Sequence, residues 1–499
     1  MTDTSLTAAL VASFDHVADR ILIAQGDRTL SGRQLRLAMD DVAARLMKLG
    51  VAPGDRVAVQ APKSIDLVLL YLGCLRLGAV YLPLNDAYRP DEIGYFLGDA
   101  EPALFICAPD AAAGLQQSGC LPNALCLHTL GLDGEGSWHA VEPSLAGLPP
   151  GPTSPDTLAA IVYTSGTTGR SKGAMISQGN LLANARDLAA VWRISAEDTL
   201  LHALPLYHIH GLFVALHPLL LAGARIDLMP SFDPRLVLEQ LGGATIFMGV
   251  PTYYTRLLSM PELNRDTTQH VRLFVSGSAP LTPVTFAAFG ERTGRSILER
   301  YGMTECGIIC SNPLDGQRLP GAVGQPLPGY SVRLADKAET GVLEVKGPSL
   351  FSGYWRMPEK TREEFRDDGY FITGDIATID ADGVVRIVGR DKDMIISGGL
   401  NIYPVEIEAL IEAMDEVGDV AVVGVPHADF GEAVLAVVCL KPGRVLEATG
   451  IVDRLRGQLA SYKLPKAVAF APSLPRNAMG KVQKAELRRV HAERFVPCV

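Results

Sequence analysis

Cysteine is scarce in this chain. There are eight in 499 residues, at positions 74, 107, 120, 126, 306, 310, 439 and 498, and no two stand in a C-x-x-C pair. That spacing excludes a disulfide framework and a zinc ribbon and points to a reducing compartment with free thiols. Uninterrupted apolar runs are also missing. Residues 67–84 carry Arg76 near their middle, and residues 212–224 are broken by His217 and closed by Arg225. Both stretches read as buried core helices, not membrane spans. No lysine or arginine precedes Arg20, so neither a secretory nor a transit peptide is expected and the cytoplasm is the expected location. Positive charge is outweighed, 45 basic against 55 acidic side chains for a net charge of −10, which argues against broad nucleic-acid binding.

What is present is material for a large interior. Hydrophobic residues make up 48% and charged residues 20%, a balance that excludes global disorder. A chain of 499 residues is too long for one ordinary core, so two or more units are expected. Strand-like runs (Arg56–Gln60, Ala103–Cys107) alternate with a helical pattern at Ile65–Gly78, and the same rhythm returns at Ala159–Tyr163, Leu200–Ala203, Ala224–Leu228, Thr245–Met248 and Arg272–Val275. This is the pattern of an α/β fold with largely parallel sheets, in two blocks joined by a loop over 140–157. From about residue 320 short alternating strands, Gly341–Val345 and Gly383–Val388, predict a small β unit. Beyond 393 an α+β segment is expected, with a strand at Val420–Val425 and helices at Pro404–Met414 and Ile451–Leu459.

The most informative stretch runs Ile161-Val-Tyr-Thr-Ser-Gly-Thr-Thr-Gly-Arg-Ser-Lys-Gly173. An apolar strand enters a loop of glycines, hydroxyl side chains and one lysine, and a helical pattern follows from Ser177. Free backbone N–H groups, hydroxyls and a cation are what a polyphosphate needs. The loop is not a Walker A motif, since the lysine does not follow Gly-x-x-x-x-Gly.

The string YTSGTTGRSKG resembles the phosphate-loop signature of the acyl-adenylate-forming superfamily, which holds acyl-CoA synthetases, peptide-synthetase adenylation domains and beetle luciferases. Further motifs of that superfamily appear in order: Pro205–Gly211 (PLYHIHG), Ser276–Leu281 (SGSAPL), Tyr301–Glu305 (YGMTE), Tyr370–Asp375 (YFITGD), Gly389–Asp393 (GRDKD), Ser397–Pro404 (SGGLNIYP) and Pro475–Lys481 (PRNAMGK). The resemblance covers essentially the whole chain. It implies an N-terminal ATP- and acyl-binding domain over residues 1–390, built of two α/β subdomains and a small β-barrel. A small mobile α+β domain over 391–499 would carry the catalytic lysine.

The reaction the resemblance implies joins two anions, a carboxylate and the α-phosphate of ATP, so positioning and cationic stabilisation carry the chemistry. By resemblance, Thr164, Ser165, Gly166, Thr167, Thr168, Gly169 and Lys172 cradle the β- and γ-phosphates. Thr304 would touch the α-phosphate and Glu305 would hold Mg²⁺. Asp375 and Arg390 would bind the ribose, and Tyr301 with Ser278, Ala279 and Pro280 would flank the adenine. Lys481 would bridge the attacking carboxylate and the α-phosphate. Lys392 matches the hinge about which the C-terminal domain turns, and Gly398 and Gly399 would then line the tunnel for the coenzyme A thiol, where glycine lets a thin chain approach.

Within the superfamily, residues 202–213, 248–258 and 299–305 resemble malonyl-CoA synthetases. In those enzymes two arginines hold the distal carboxylate of malonate, at positions matching Arg256 and Arg300, and His208 matches a gate over the acyl pocket. A second carboxylate entering a closed pocket must be paired, and a guanidinium pairs it in bidentate fashion. Arg256 also fits the solvated face of an amphipathic helix, and His208 fits a structural histidine. After Glu305 the chain reads Cys306-Gly-Ile-Ile-Cys310, more apolar than in those enzymes, which leaves methylmalonate or another short acid as an alternative substrate. A carrier-protein thiol in place of coenzyme A, and a nucleotide-binding regulator without turnover, are the rival readings. The expected partners are small molecules only (the acid, ATP, Mg²⁺ and coenzyme A), with no nucleic acid and no membrane.

Overall fold

In the computed structural model the described residues are 4–164, 171–335, 339–398, 400–427, 429–456, 458–477 and 481–495. Among them the strands form four sheets. The first has nine strands in the order 325–326, 307–311, 297–303, 273–276, 246–249, 199–202, 225–228, 21–25 and 28–31. Its centre is parallel, and antiparallel hairpins close both edges. The second has seven strands, in which 158–164, 80–83, 56–60, 104–107 and 126–129 are parallel and 172–177 and 353–354 extend the sheet antiparallel.

Helices fill the space between these two sheets. Ile65–Leu77 is buried along nearly its whole length, as a helix that is apolar all round must be. Ser64 caps its first turn by accepting the Leu67 N–H. The apolar run 67–84 is therefore not one core helix. Gly78, at φ +79°, closes the helix by donating its N–H to Leu75, a left-handed position that glycine takes without strain, and Val80–Pro83 continues as a buried parallel strand. The run 212–224 is likewise divided. A π-helical turn, His210–Val214, precedes the short helix His217–Ala222, because Pro218 lacks the N–H needed to continue the preceding turn.

The expected small barrel is a four-stranded antiparallel sheet of strands 331–334, 340–346, 371–379 and 385–390, whose two edge strands do not pair with each other. Four strands are too few to close a ring around packed side chains. The last sheet lies between residues 395 and 470. It is built on the long hairpin Val417–His427 and Gly431–Leu440, with Ala467–Phe470 parallel to the second strand. It covers its own apolar core with helices Pro404–Glu412 and Ala448–Leu455. No helix among the described residues is long and apolar enough to cross a membrane.

Candidate active site

The parallel strands 297–303, 273–276, 246–249 and 199–202 lie side by side, and their carboxyl ends lead into the stretches singled out in the sequence. His202 opens the stretch to Gly211, Ser276 leads into Gly277–Leu281, and the strand ending at Met303 leads into Thr304–Glu305. A crevice at the carboxyl ends of parallel strands is the usual ligand position in an open α/β sheet.

Thr164 and Lys172 are register partners where strands 158–164 and 172–177 meet; Ser165, Gly166, Thr167, Thr168 and Gly169, between them, lie outside the described residues. The Thr164 hydroxyl donates to Glu305 Oε1 at 3.2 Å. Lys172 Nζ is 2.7 Å from Glu364 Oε1 and lies 4.2 Å from the centre of the Tyr354 ring. The Tyr354 hydroxyl is within reach of both carboxylates, 3.1 Å from Glu305 and 2.9 Å from Glu364. Burial pushes the Glu305 carboxyl up, against the pull of Tyr354, Lys172 and Thr164. Glu364 feels burial in the same sense, but Lys172 and Tyr354 outweigh it and hold that carboxyl below its ordinary value. Tyr354 and Glu364 were not foreseen from the sequence. They reach the site from the strand Gly353–Tyr354, paired to 172–177, and from the end of helix Pro358–Glu363.

Asp375 and Arg390 are partners across strands 371–379 and 385–390. The guanidinium Nε lies 3.1 Å from Asp375 Oδ1, and the Tyr301 hydroxyl donates to Oδ2 at 2.6 Å. Asp375 is buried, whereas Arg390 keeps much of its surface.

Lys481 belongs to a short return of the chain. Its N–H donates to Asn477 Oδ1 at 3.0 Å, and its carbonyl accepts the Asn477 N–H. Burial pushes its ammonium down to about 8; Arg390 and Arg300 act in the same direction, and Asp375 and Glu305 oppose them. The lysine thus stands in the combined field of residues from the sheet edge, the antiparallel sheet and the strand 297–303.

The next wall is made by Arg300 and two histidines. Arg300 is 6% exposed, and neither Nε nor Nη2 has a hydrogen-bond partner among the described residues. Burial lowers its guanidinium to about 10. It packs across Gly277, where any Cβ would collide with the guanidinium. His208 Nδ1 accepts the His210 N–H at 3.2 Å, which leaves the ring proton on Nε2. Burial, with Lys481 and Arg300 nearby, pushes His208 down to about 3, so the ring is neutral at physiological pH. His210 is buried, with Nδ1 3.3 Å from the Ser278 hydroxyl and Nε2 unpartnered among the described residues. Ser278 sits at φ +69°, a left-handed position that is uncommon for serine and costs about 1–3 kcal/mol. His210 was within the quoted PLYHIHG motif but was given no role; its open Nε2 is visible only in three dimensions.

Arg256 is exposed on the last turn of helix Pro251–Leu258 and makes no ion pair among the described residues. Ile308 and Ile309 are fully buried in the strand after the Thr304–Glu305 turn. Asn184 pins that strand, accepting the Ile308 N–H and donating to the Ile308 carbonyl. Cys306 and Cys310 are buried, and burial pushes both thiols up, Cys310 to about 12. Lys392 lies in the single turn Asp391–Asp393, which Arg488 ties down through Asp393 at 2.5 Å. Gly398 stands at φ +58° and donates its N–H to the Phe430 carbonyl; Gly399 lies outside the described residues.

Comparison with known proteins gives the family. The model for AMP-binding enzymes matches residues 11–355, and that for the AMP-binding enzyme C-terminal domain matches 406–481. The chain belongs to the AMP-binding enzyme family. Among solved structures it is similar to ATP-bound MatB from Rhodopseudomonas palustris, with 47% identity, a TM-score of 0.92 and coverage of 98% of this chain and 99% of that one. The apo form of the same protein, also 47% identical, gives a TM-score of 0.81. Curated relatives include the mitochondrial malonate–CoA ligase of Bos taurus, 34% identical over 92% of this chain and 85% of its own length. The indoleacetate–CoA ligase of Aromatoleum aromaticum is 35% identical over 94% of each. Relatives equally distant therefore carry names with different acids, and the acyl group has to be argued from the pocket.

Proposed function

We propose that this protein is a malonyl-CoA synthetase, an AMP-forming acid–CoA ligase. Malonate attacks the α-phosphate of ATP to give malonyl-adenylate and pyrophosphate; coenzyme A then displaces AMP to give malonyl-CoA. The observation that carries the choice of acid is Arg300, a buried guanidinium with two N–H positions unpartnered among the described residues. A buried cation of this kind is stable only with an anion brought to it, and a monocarboxylate spends its only carboxylate on the α-phosphate. Similarity to MatB over nearly the whole chain supports the same reading. His210 Nε2, beside Arg300, offers a second polar contact.

The other roles follow from the chemistry of the groups. ATP binds with its phosphates at Thr164, Lys172 and the loop between them, its ribose at Asp375 and Arg390, and its adenine along Tyr301 and Ser278–Pro280. Glu305, with the Thr164 hydroxyl at 3.2 Å, provides hard oxygen donors. The described residues contain no cluster of three metal-ligating side chains. A single carboxylate completed by phosphate oxygens and water suits Mg²⁺, which would neutralise charge building on the phosphates. Lys481 spans the carboxylate and the α-phosphate, Thr304 contacts the α-phosphate, and neutral His208 covers the acyl group. Residues from about 391 onward form a second domain that turns at Lys392 and brings Gly398 and Gly399 to the pantetheine arm. Of the two arginines, buried Arg300 makes the main contact, and Arg256 contributes from an exposed position.

The test is AMP release that depends on both acid and coenzyme A. Malonate is expected to exceed acetate by about 10⁴-fold in kcat/KM, since acetate leaves a site built on polar contacts unpaired. Acetate or a medium-chain fatty acid used as fast as malonate would overturn the substrate. Methylmalonate measures how much room the Gly307–Ile309 wall leaves.

Lys481 also sets a pH dependence. It serves as the ammonium, and as pH rises through about 8 the free enzyme loses that charge, so kcat/KM for adenylation is expected to fall. Bound ATP and malonate, both anions, hold the proton more tightly and move the limb in kcat higher. Thioester formation from preformed malonyl-adenylate is expected to lack this limb.

A further inference from the structure

A lysine outside the site described above is buried without a counter-ion among the described residues. Lys63 is 8% exposed and has no carboxylate partner among the described residues. Its Nζ lies 2.8 Å from His202 Nδ1 and 2.7 Å from the His202 carbonyl. On the other side of the ring, His202 Nε2 lies 2.9 Å from the Gly211 carbonyl. A carbonyl only accepts, so Nε2 carries the proton, and Nδ1 accepts from Lys63. Burial pushes Lys63 well down from its ordinary value, and burial together with Lys63 does the same to His202.

The two bonded ends are informative. His202 is the last residue of strand 199–202, and Gly211 lies in the π-helical turn 210–214. The segment between them carries His208 and His210. The imidazole therefore ties the start of this segment to its end. The segment also doubles back so closely that a Cβ on Gly211 would collide with the Pro205 carbonyl. An apolar residue at position 63 would avoid the cost of burying an amine, and π-helical turns are concentrated at functional sites.

We infer that Lys63 and His202 are positioning residues for the acid substrate: they clip residues 203–211 shut and so aim His208 and His210 at the pocket beside Arg300. This rests on the acyl pocket assigned above but not on malonate in particular. A displacement near 1 Å at such a wall costs about 10²-fold, and it falls mainly on the acid, because segment 203–211 meets the residues assigned to ATP only where His210 Nδ1 lies 3.3 Å from the Ser278 hydroxyl.

The experiment compares Lys63→Met, His202→Leu and His202→Gln with wild type, measuring KM and kcat for ATP and for whichever acid the wild type uses best. Lys63→Met and His202→Leu are expected to lower kcat/KM for the acid by about 10–100-fold while the KM for ATP changes less than about 2-fold. His202→Gln, which keeps a donor for Gly211, is expected to recover most of the loss. A lowered melting temperature with both KM values unchanged, or equal losses for acid and ATP, would overturn the clip. Should the variants not fold, imidazole nitrogen NMR of the wild type decides. His202 is expected as the neutral Nε2–H form from pH 5.5 to 8, and a titrating ring or an Nδ1–H form overturns the inference. Failure of the substrate assignment shows separately, as a wild type that prefers another acid.

Discussion

Lys481→Ala is expected to lower malonate-dependent ATP–pyrophosphate exchange by about 10²–10³-fold or more, the range for removing one preorganised donor to developing charge. Conversion of synthetic malonyl-adenylate and coenzyme A to malonyl-CoA by the same variant is expected to stay within a few-fold of wild type. The separation follows from what the side chain does. In the first half-reaction two anions approach, and an ammonium between them is favoured far more in the transition state than when the substrates are apart. In the second the carboxylate is already esterified and the thiol is the nucleophile, so that position has no pair of anions to bridge. On the proposed reading Lys481, half-buried in the field of Arg300, Arg390, Asp375 and Glu305, would make that bridge. Equal loss in both half-reactions would move the lysine to a general structural role.

Arg300→Ala is expected to lower kcat/KM for malonate by about 10²–10³-fold, corresponding to about 3–5 kcal/mol for leaving a buried charge unpaired. Activity with acetate, already low, is expected to change little, so selectivity collapses more than catalysis does. Arg256→Ala is expected to cost less, because that guanidinium is exposed and its attraction to a distal carboxylate is screened by water. Malonate kinetics unchanged in both variants would retire the dicarboxylate pocket. An Arg256 variant as damaged as the Arg300 variant would show that the helix Pro251–Leu258 turns its arginine inward when substrate binds.

Much of the fold was legible because its signals are local. Seven strands of the two parallel sheets were expected to within a residue or two, since short apolar runs bounded by glycine and polar residues read the same way in any context; those at 21–25, 80–83 and 126–129 were not. Errors came where a local signal was ambiguous. The run 67–84 is apolar throughout, so periodicity could not show that Gly78 ends a helix and that Val80–Pro83 joins a sheet. The barrel was implied by the family resemblance; the alternation itself predicted only a small β unit, and alternation within strands does not say whether the edge strands meet.

The sequence alone determined the chemistry. An ordered set of motifs, each a string of residue types suited to phosphate, ribose or a carboxylate, needs no coordinates to be recognised, and it named Lys481, Glu305, Asp375, Arg390 and Arg300. Tertiary structure decided what each group experiences. Arg256 and Arg300 are the same residue type in the chain, yet one is exposed and the other buried with N–H groups that have no partner among the described residues, a difference that depends on what packs around them. Tyr354 and Glu364 flank Lys172, and Lys63 reaches His202 across 139 residues of sequence. Such pairings between residues far apart in the chain leave no trace in local pattern, because burial and hydrogen bonding belong to the packed state and not to the string.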